Sequence, residues 1–313
     1  MTTTATIPDA APAQSPGQRS WRRLRQYPAA WVGTIVFSLI VLTCYLSMPW
    51  TLYGYKIQNL NAVLQAPGAE YWLGTDSLGR SLLERLLLGG SVSIAIGLAS
   101  ATIAVLLGTG VGLVAGYFGG LWDSVLMRVV DVLYGLPYIL LVIMFRIVMV
   151  PLLTKALSPY LDGASLVANF MVLLVGIGAV SWLTMARVIR GQALALRQMP
   201  FVEAARAMGM SHRSIILRHI LPNLMGPIFV YAALTVPQAI LAESFLSFLG
   251  LGISAPLPSW GNLAAEGVDA MNPVKTYWWL VTSPAVLLSL TLICLNFVGD
   301  ALRDALDPKG NQG

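Results

Sequence analysis

Long apolar runs, separated by short polar connections, set the rhythm of this chain. Six runs are long enough to cross a membrane: about 29–48, 92–117, 126–150, 166–188, 224–245 and 278–298. Each holds roughly the 20 residues that a 30 Å hydrocarbon core requires of a helix. The pattern predicts an all-α polytopic membrane protein with six transmembrane helices. The connection between the fourth and fifth runs, 189–223, breaks the rhythm because it is too polar to cross.

That connection has local signals of its own. Pro200 suits a first helical turn, where its missing N–H costs nothing. Residues 201–208 are good helix formers, and Gly209 can take the left-handed conformation that ends a helix. Ser211 can cap a second helix over about 212–220, and Pro222 suits the opening of the fifth span. Ala204, Ala205 and Ala207 are small enough to let another surface approach. Glu203 lies near the positive end of the helix dipole, where a carboxylate is favoured. The connection therefore has the form of a docking element.

Composition agrees with the membrane reading. Of the 313 residues, 57% are hydrophobic and only 11% charged, against about a quarter charged in an ordinary soluble domain. The net charge of +5 follows topology rather than nucleic-acid binding. With the N-terminus in the cytoplasm, 13 of the 19 Lys and Arg residues fall on the cytoplasmic side or at its edge. Six spans return the C-terminus to the same side and place 189–223 there too. Residues 1–28 read as a disordered, basic tail with Arg19, Arg22, Arg23 and Arg25. The run after them reads as an uncleaved signal anchor. Residues 29–91 then hold the first helix and an outer loop, 92–300 a core of five spans, and 301–313 a cytoplasmic tail. Cys44 and Cys294 fall in apolar runs and read as small buried side chains.

Glu203-Ala204-Ala205, then Gly209, then Leu221-Pro222 resembles the EAA loop of ABC importer permeases. His219-Ile220-Leu221-Pro222-Asn223 is similar to the peptide and nickel branch. Leu73-Gly74-Thr75-Asp76-Ser77-Leu78-Gly79-Arg80 looks like the signature of the C-type subunit of dipeptide and oligopeptide importers, with Ser81 where an acidic residue is usual. Arg128…Asp131…Pro137, the stretch 242–252, Pro258-Ser259-Trp260-Gly261 and the stretch 296–308 match as well.

The resemblance implies a type I importer permease in a bacterial cytoplasmic membrane. It implies a sister permease, two cytosolic ATPase subunits or a fused ATPase, and an extracytoplasmic solute-binding protein as partners. It implies peptide cargo, with nickel or another small solute as the alternative. Glu203, Ala204, Ala205, Gly209, Leu221 and Pro222 would form the coupling element that meets the ATPase. ATP and Mg would be bound by the partners, and this chain would hold no cofactor. The connection 144–168 looks longer and more apolar than the family pattern.

Three polar residues are candidates for the translocation path or its mouth. Asp76 and Arg80, four apart, either face a docked binding protein or form a charge pair that fixes the outer loop. Glu243 either lines the pore or holds the segment that follows it, because a carboxylate in a span faces a cavity or a partner. Arg146 reads as snorkelling from the third span, and Arg128 with Asp131 as a pair three apart. Gly112 and Gly116 form a small-xxx-small helix contact, and Trp278 and Trp279 read as interfacial anchors.

No phosphate-binding loop of the form GxxxxGK[ST] is present, so hydrolysis of ATP by this chain is not expected. No nucleophile–base pair or metal-ligand cluster stands out. A secondary transporter, the rival class, would need ion-binding groups at the midplane or broken helices in inverted repeats.

Overall fold

The computed structural model describes residues 27–253, 255–272 and 275–306. The arginines of the expected tail and Lys309 lie outside the described residues. Two helices, α1 (Pro28–Leu46) and α2 (Met48–Gly54), lead into an irregular loop. Then come α3 (Leu82–Phe118), α4 (Gly120–Tyr134), α5 (Tyr138–Leu157) and α6 (Ala164–Arg197). The polar connection holds α7 (Pro200–Ala207) and α8 (His212–Ile215). They are followed by α9 (Leu221–Phe248), α10 (Trp260–Asp269) and α11 (Trp278–Leu306). Among the described residues, six helices are long and apolar enough to cross a membrane.

The bundle is centred on α3 and α6, its most extensive helix pair. At 37 residues, α3 is about 55 Å long at 1.5 Å per residue. Its glycines set the approach. A Cβ on Gly112 would stand 2.6 Å from the Ala186 carbonyl oxygen, and one on Gly116 would stand 2.6 Å from that of Arg190. Gly108 meets Met185 and Trp182 in the same way. Small residues four apart thus clear a stripe along which the two backbones meet.

The third crossing differs from the hydropathy reading. The apolar run 126–150 is broken, with α4 ending at Tyr134 and α5 starting at Tyr138. Pro137 has no N–H to continue the helix, and it disfavours helical backbone at Leu136. The crossing helix is therefore α5, displaced toward the C-terminus, and the following connection is only 158–163. The long connection expected over 144–168 is mostly helix.

Arg146 is correspondingly not at a span end. It sits inside α5 and donates to the Gly252 carbonyl (2.6 Å) and to Asn169 Oδ1 (2.8 Å). Protein partners, not an interface, satisfy it. Asp131 pairs with Arg187 of α6 at 2.8 Å rather than with Arg128. Of the two tryptophans that open α11, Trp278 is exposed, but Trp279 is buried and its indole N–H reaches the Thr75 carbonyl. Cys44 and Cys294 are free and buried.

Candidate functional site: the 189–223 connection and the far-end polar clusters

The local signals of the connection are realised. Pro200 opens α7, Gly209 has φ +75°, and Ser211 Oγ accepts from the Ser214 N–H at 3.3 Å. The helix is amphipathic over its two turns. Val202 and Ala205 are buried among Leu113, Tyr117, Ile189, Ala193, Ile215 and Ile220, while Glu203, Ala204, Arg206 and Ala207 are exposed. Ala205 therefore anchors the helix to its own chain, and Ala204 and Ala207 form the small-residue surface turned outward. Burial of a valine side chain is worth about 1.5–3 kcal/mol, enough to seat a helix too short to be stable alone.

The second helix of the connection is not separate from the fifth span. After α8 the backbone makes one wide turn over Ile216–Ile220, in which the Leu221 N–H bonds the Ile216 carbonyl, five residues back. It then runs straight into α9. Pro222 cannot donate to the preceding turn, and the Asn223 side chain takes the His219 carbonyl at 2.6 Å. Such wide turns occur mostly as single insertions at functional positions. The Tyr117 hydroxyl and His212 Nδ1, 2.8 Å apart, tie α8 to the end of α3. A displacement of α7 is thus tied both to α3 and to α9.

Asp76, Arg80 and Glu243 all lie toward the opposite end, where polar groups are paired inside the chain. Asp76, 3% exposed, closes its own loop. Its Oδ1 accepts from the Leu78 and Arg80 N–H groups at 2.8 and 2.9 Å. Its Oδ2 accepts from Arg80 Nε at 2.7 Å and from Arg85 at 2.6 Å. Arg85, 2% exposed, also holds both carboxylate oxygens of Glu266 on α10. The network thus joins the 55–81 loop, α3 and α10. No local sequence signal marks Arg85 or Glu266, which lie 181 positions apart.

Glu243 has no exposed surface. Ser247 Oγ donates to it at 2.7 Å and Ser244 Oγ at 3.3 Å. Ser93 and Ser259 stand close to the same carboxyl group, so four serine hydroxyls surround it. Three of these hydroxyls accept backbone N–H groups in turn: Ser247 from Ile253, Ser93 from Trp260, and Ser259 from Asn262. Gly261 packs on the Ser244 carbonyl with no room for a Cβ. The stretches 242–252 and 258–261 therefore converge on one carboxyl group, which pins the turn after α9 to α3 and α10.

The chain matches two known families along most of its described length. The family described as binding-protein-dependent transport system inner membrane component matches residues 108–311. The N-terminal TM domain of oligopeptide transport permease C matches residues 15–67. The chain belongs to the binding-protein-dependent permease family. The permease is 40% identical over 303 residues to the oligopeptide transport system permease protein OppC of Haemophilus influenzae, covering 95% of this chain and 91% of that one. It is 42% identical over 294 residues to OppC of Escherichia coli (93% and 91%). It is 39% identical over 298 residues to the dipeptide transport system permease protein DppC of Bacillus subtilis (95% and 87%). Its fold resembles a chain of the inward-facing MetNI methionine ABC transporter, with TM-score 0.53 and 21% identity. That match covers 72% of the permease and 98% of the other chain.

Proposed function

We propose that this permease is one of two membrane subunits of an importer for di- or oligopeptides, driven by ATP that partner subunits hydrolyse. It lies in a bacterial cytoplasmic membrane with its N-terminus inside, as the bias of positive charge favours. An extracytoplasmic binding protein delivers the peptide, and a sister permease completes the path. The curated relatives' names support the cargo.

The observation that carries the reading is the amphipathic seat of α7. Val202 and Ala205 fasten it to the bundle, while Glu203, Ala204, Arg206 and Ala207 are left outward on a surface that the described residues do not cover. In the mechanism, an ATPase subunit holds this surface. Its closure moves α7 and α8, and the continuous backbone carries the movement into α9 while Tyr117–His212 carries it to α3. Coupling of this kind requires that the motor contact the helix differently in its two states.

The test is peptide-stimulated ATPase in the assembled complex. Glu203→Lys and Gly209→Val, made separately, should each lower stimulation by about 5–150-fold, the usual range of a coupling free energy. The complex should still assemble. Undiminished stimulation in both variants would contradict the mechanism.

A further inference from the structure

The break between α4 and α5 opens a cavity of about 610 Å³, bounded by α4, α5, α6 and α9. Its volume lies within the 300–1,000 Å³ typical of small-ligand sites. Three features distinguish it from a lipid-filled groove. First, the non-helical backbone at Gly135–Pro137 lies on its wall, with Tyr134, Leu136 and Tyr138 among the lining residues. The Gly135 and Leu136 N–H groups of the break bond the Asp131 and Leu133 carbonyls, so the chain itself satisfies them beside the open space. Second, Gln238 is an exposed residue on the cavity wall, and among the described residues nothing hydrogen-bonds its amide. It lies about 15 Å before the end of α9, half the thickness of the hydrocarbon core. A free amide at that depth is costly against lipid. Third, Ser181 and Thr184 stand near the middle of α6 on the same cavity, adding hydroxyls and no charge.

We propose that this cavity is the permease's wall of the solute passage, and that the Gln238 amide hydrogen-bonds the main chain of a passing peptide. The inference rests on the peptide-importer reading and adds the contact residue. An amide both donates and accepts, as a peptide bond does, so one side chain can meet successive peptide units whatever their side chains. None of the lining residues is charged. Arg187 covers the ring of Tyr134, a lining residue, at 4.1 Å from its centroid and is paired with Asp131. The wall therefore has no fixed charge with which to reject either acidic or basic peptides. Asp76, Arg80 and Glu243 are not among its lining residues.

The test uses the complete transporter in proteoliposomes, with Gln238→Cys introduced singly. Cys44 and Cys294 are buried, which keeps the background low. The probe is a charged, membrane-impermeant thiosulfonate. Leu106→Cys, at an exposed apolar position of α3, is the lipid-facing comparison. Gln238→Cys should react at least tenfold faster than Leu106→Cys, and transported peptide should slow that reaction. Gln238→Leu should lower peptide kcat/KM about tenfold, the scale of one lost hydrogen bond. Labelling no faster than at Leu106→Cys would mean that lipid or the sister subunit covers Gln238, and would overturn the proposal while leaving coupled ATPase intact. Rapid labelling that peptide does not slow, in a complex whose ATPase peptide still stimulates, would overturn the peptide contact. Absence of any peptide stimulation in the unsubstituted complex would instead remove the importer reading itself.

Discussion

The two ends of this helical bundle are held together by opposite means. At the end bearing the 55–81 loop and α10, most of the charges and hydroxyls named above are buried and paired with one another. Asp76, Arg80, Arg85 and Glu266 form one network, and Glu243 with four serines forms another. At the end bearing α7, the buried contacts are mostly apolar and the polar groups turn outward. A segment whose hydrogen bonds are satisfied internally is fixed in place. A segment seated by side-chain packing, with its polar face uncovered, can be gripped by something else and moved. The contrast gives rigidity to one end and leaves the other available for the proposed coupling, and it can be broken by substitution.

The largest effect is expected at Arg85. Arg85→Met removes the cation shared by Asp76 and Glu266, leaving buried Asp76 with Arg80 as its one cation and taking from the part-exposed Glu266 its bidentate partner. Such a change costs about 3 kcal/mol, the low end for a broken buried pair, read as a lower Tm of the purified complex. A change under about 1 kcal/mol would show that the network does not hold this end. Next is Gly261→Ala, where the added methyl meets the Ser244 carbonyl. Overpacking of this kind costs about 1–3 kcal/mol. Gly226→Ala, in a helix with open space around its position, should not lower Tm in the same assay and should raise it slightly, because alanine favours a helix interior over glycine.

At the α7 end the comparison sharpens between neighbouring alanines. Ala205→Leu should destabilise by about 1–3 kcal/mol, because Ala205 is packed against the bundle. Ala204→Leu should change stability by less than about 0.5 kcal/mol, as exposed positions do, yet lower peptide-stimulated ATPase. Equal stability losses at the two positions would dissolve the distinction between the seated and the offered face.

The smallest effect concerns Asp123 and Arg190, a partly exposed pair joining α4 to α6. The hydrogen bond from Arg190 holds the Asp123 carboxyl below its ordinary value of 3.8. A depressed carboxyl contributes stability that is present above that ordinary value and is lost as pH falls through the lower folded one. The pair should therefore contribute about 0.2–1 kcal/mol at pH 7. Asp123→Asn should lower Tm slightly at pH 7, with the difference from the parent fading below about pH 4. A difference that persists at pH 3 would point to packing instead of charge.

The parts of the molecule legible in the sequence are those whose physics is local. Pro200, Gly209 and Ser211 each signal through one or two neighbouring residues, and all three act as expected. The crossing helices were legible because an apolar run of the right length has few other uses. The third crossing was misplaced because hydropathy counts side chains and is blind to the N–H that Pro137 lacks. Trp278 and Trp279 are adjacent, yet a helix turns about 100° between them, so one faces outward and the other joins the core. Arg146, Arg85 and Glu266 were illegible for a different reason. Their partners are brought near only by the fold, and sequence spacing carries no trace of those contacts. Glu243 lay between: its motif was visible, but Ser93, one of the hydroxyls that satisfies it, comes from a different helix.

The central claim is that the outward face of α7 meets a motor subunit. Site-directed disulfide crosslinking in the intact transporter tests it most directly, with single cysteines at positions 202, 204 and 207 and a cysteine scan of the ATPase surface. Ala204→Cys and Ala207→Cys should crosslink to the ATPase, to a degree that changes with ATP, while Val202→Cys should not. Absence of a crosslink from either outward position, or modification of those cysteines by an impermeant reagent added outside intact cells, would contradict the account.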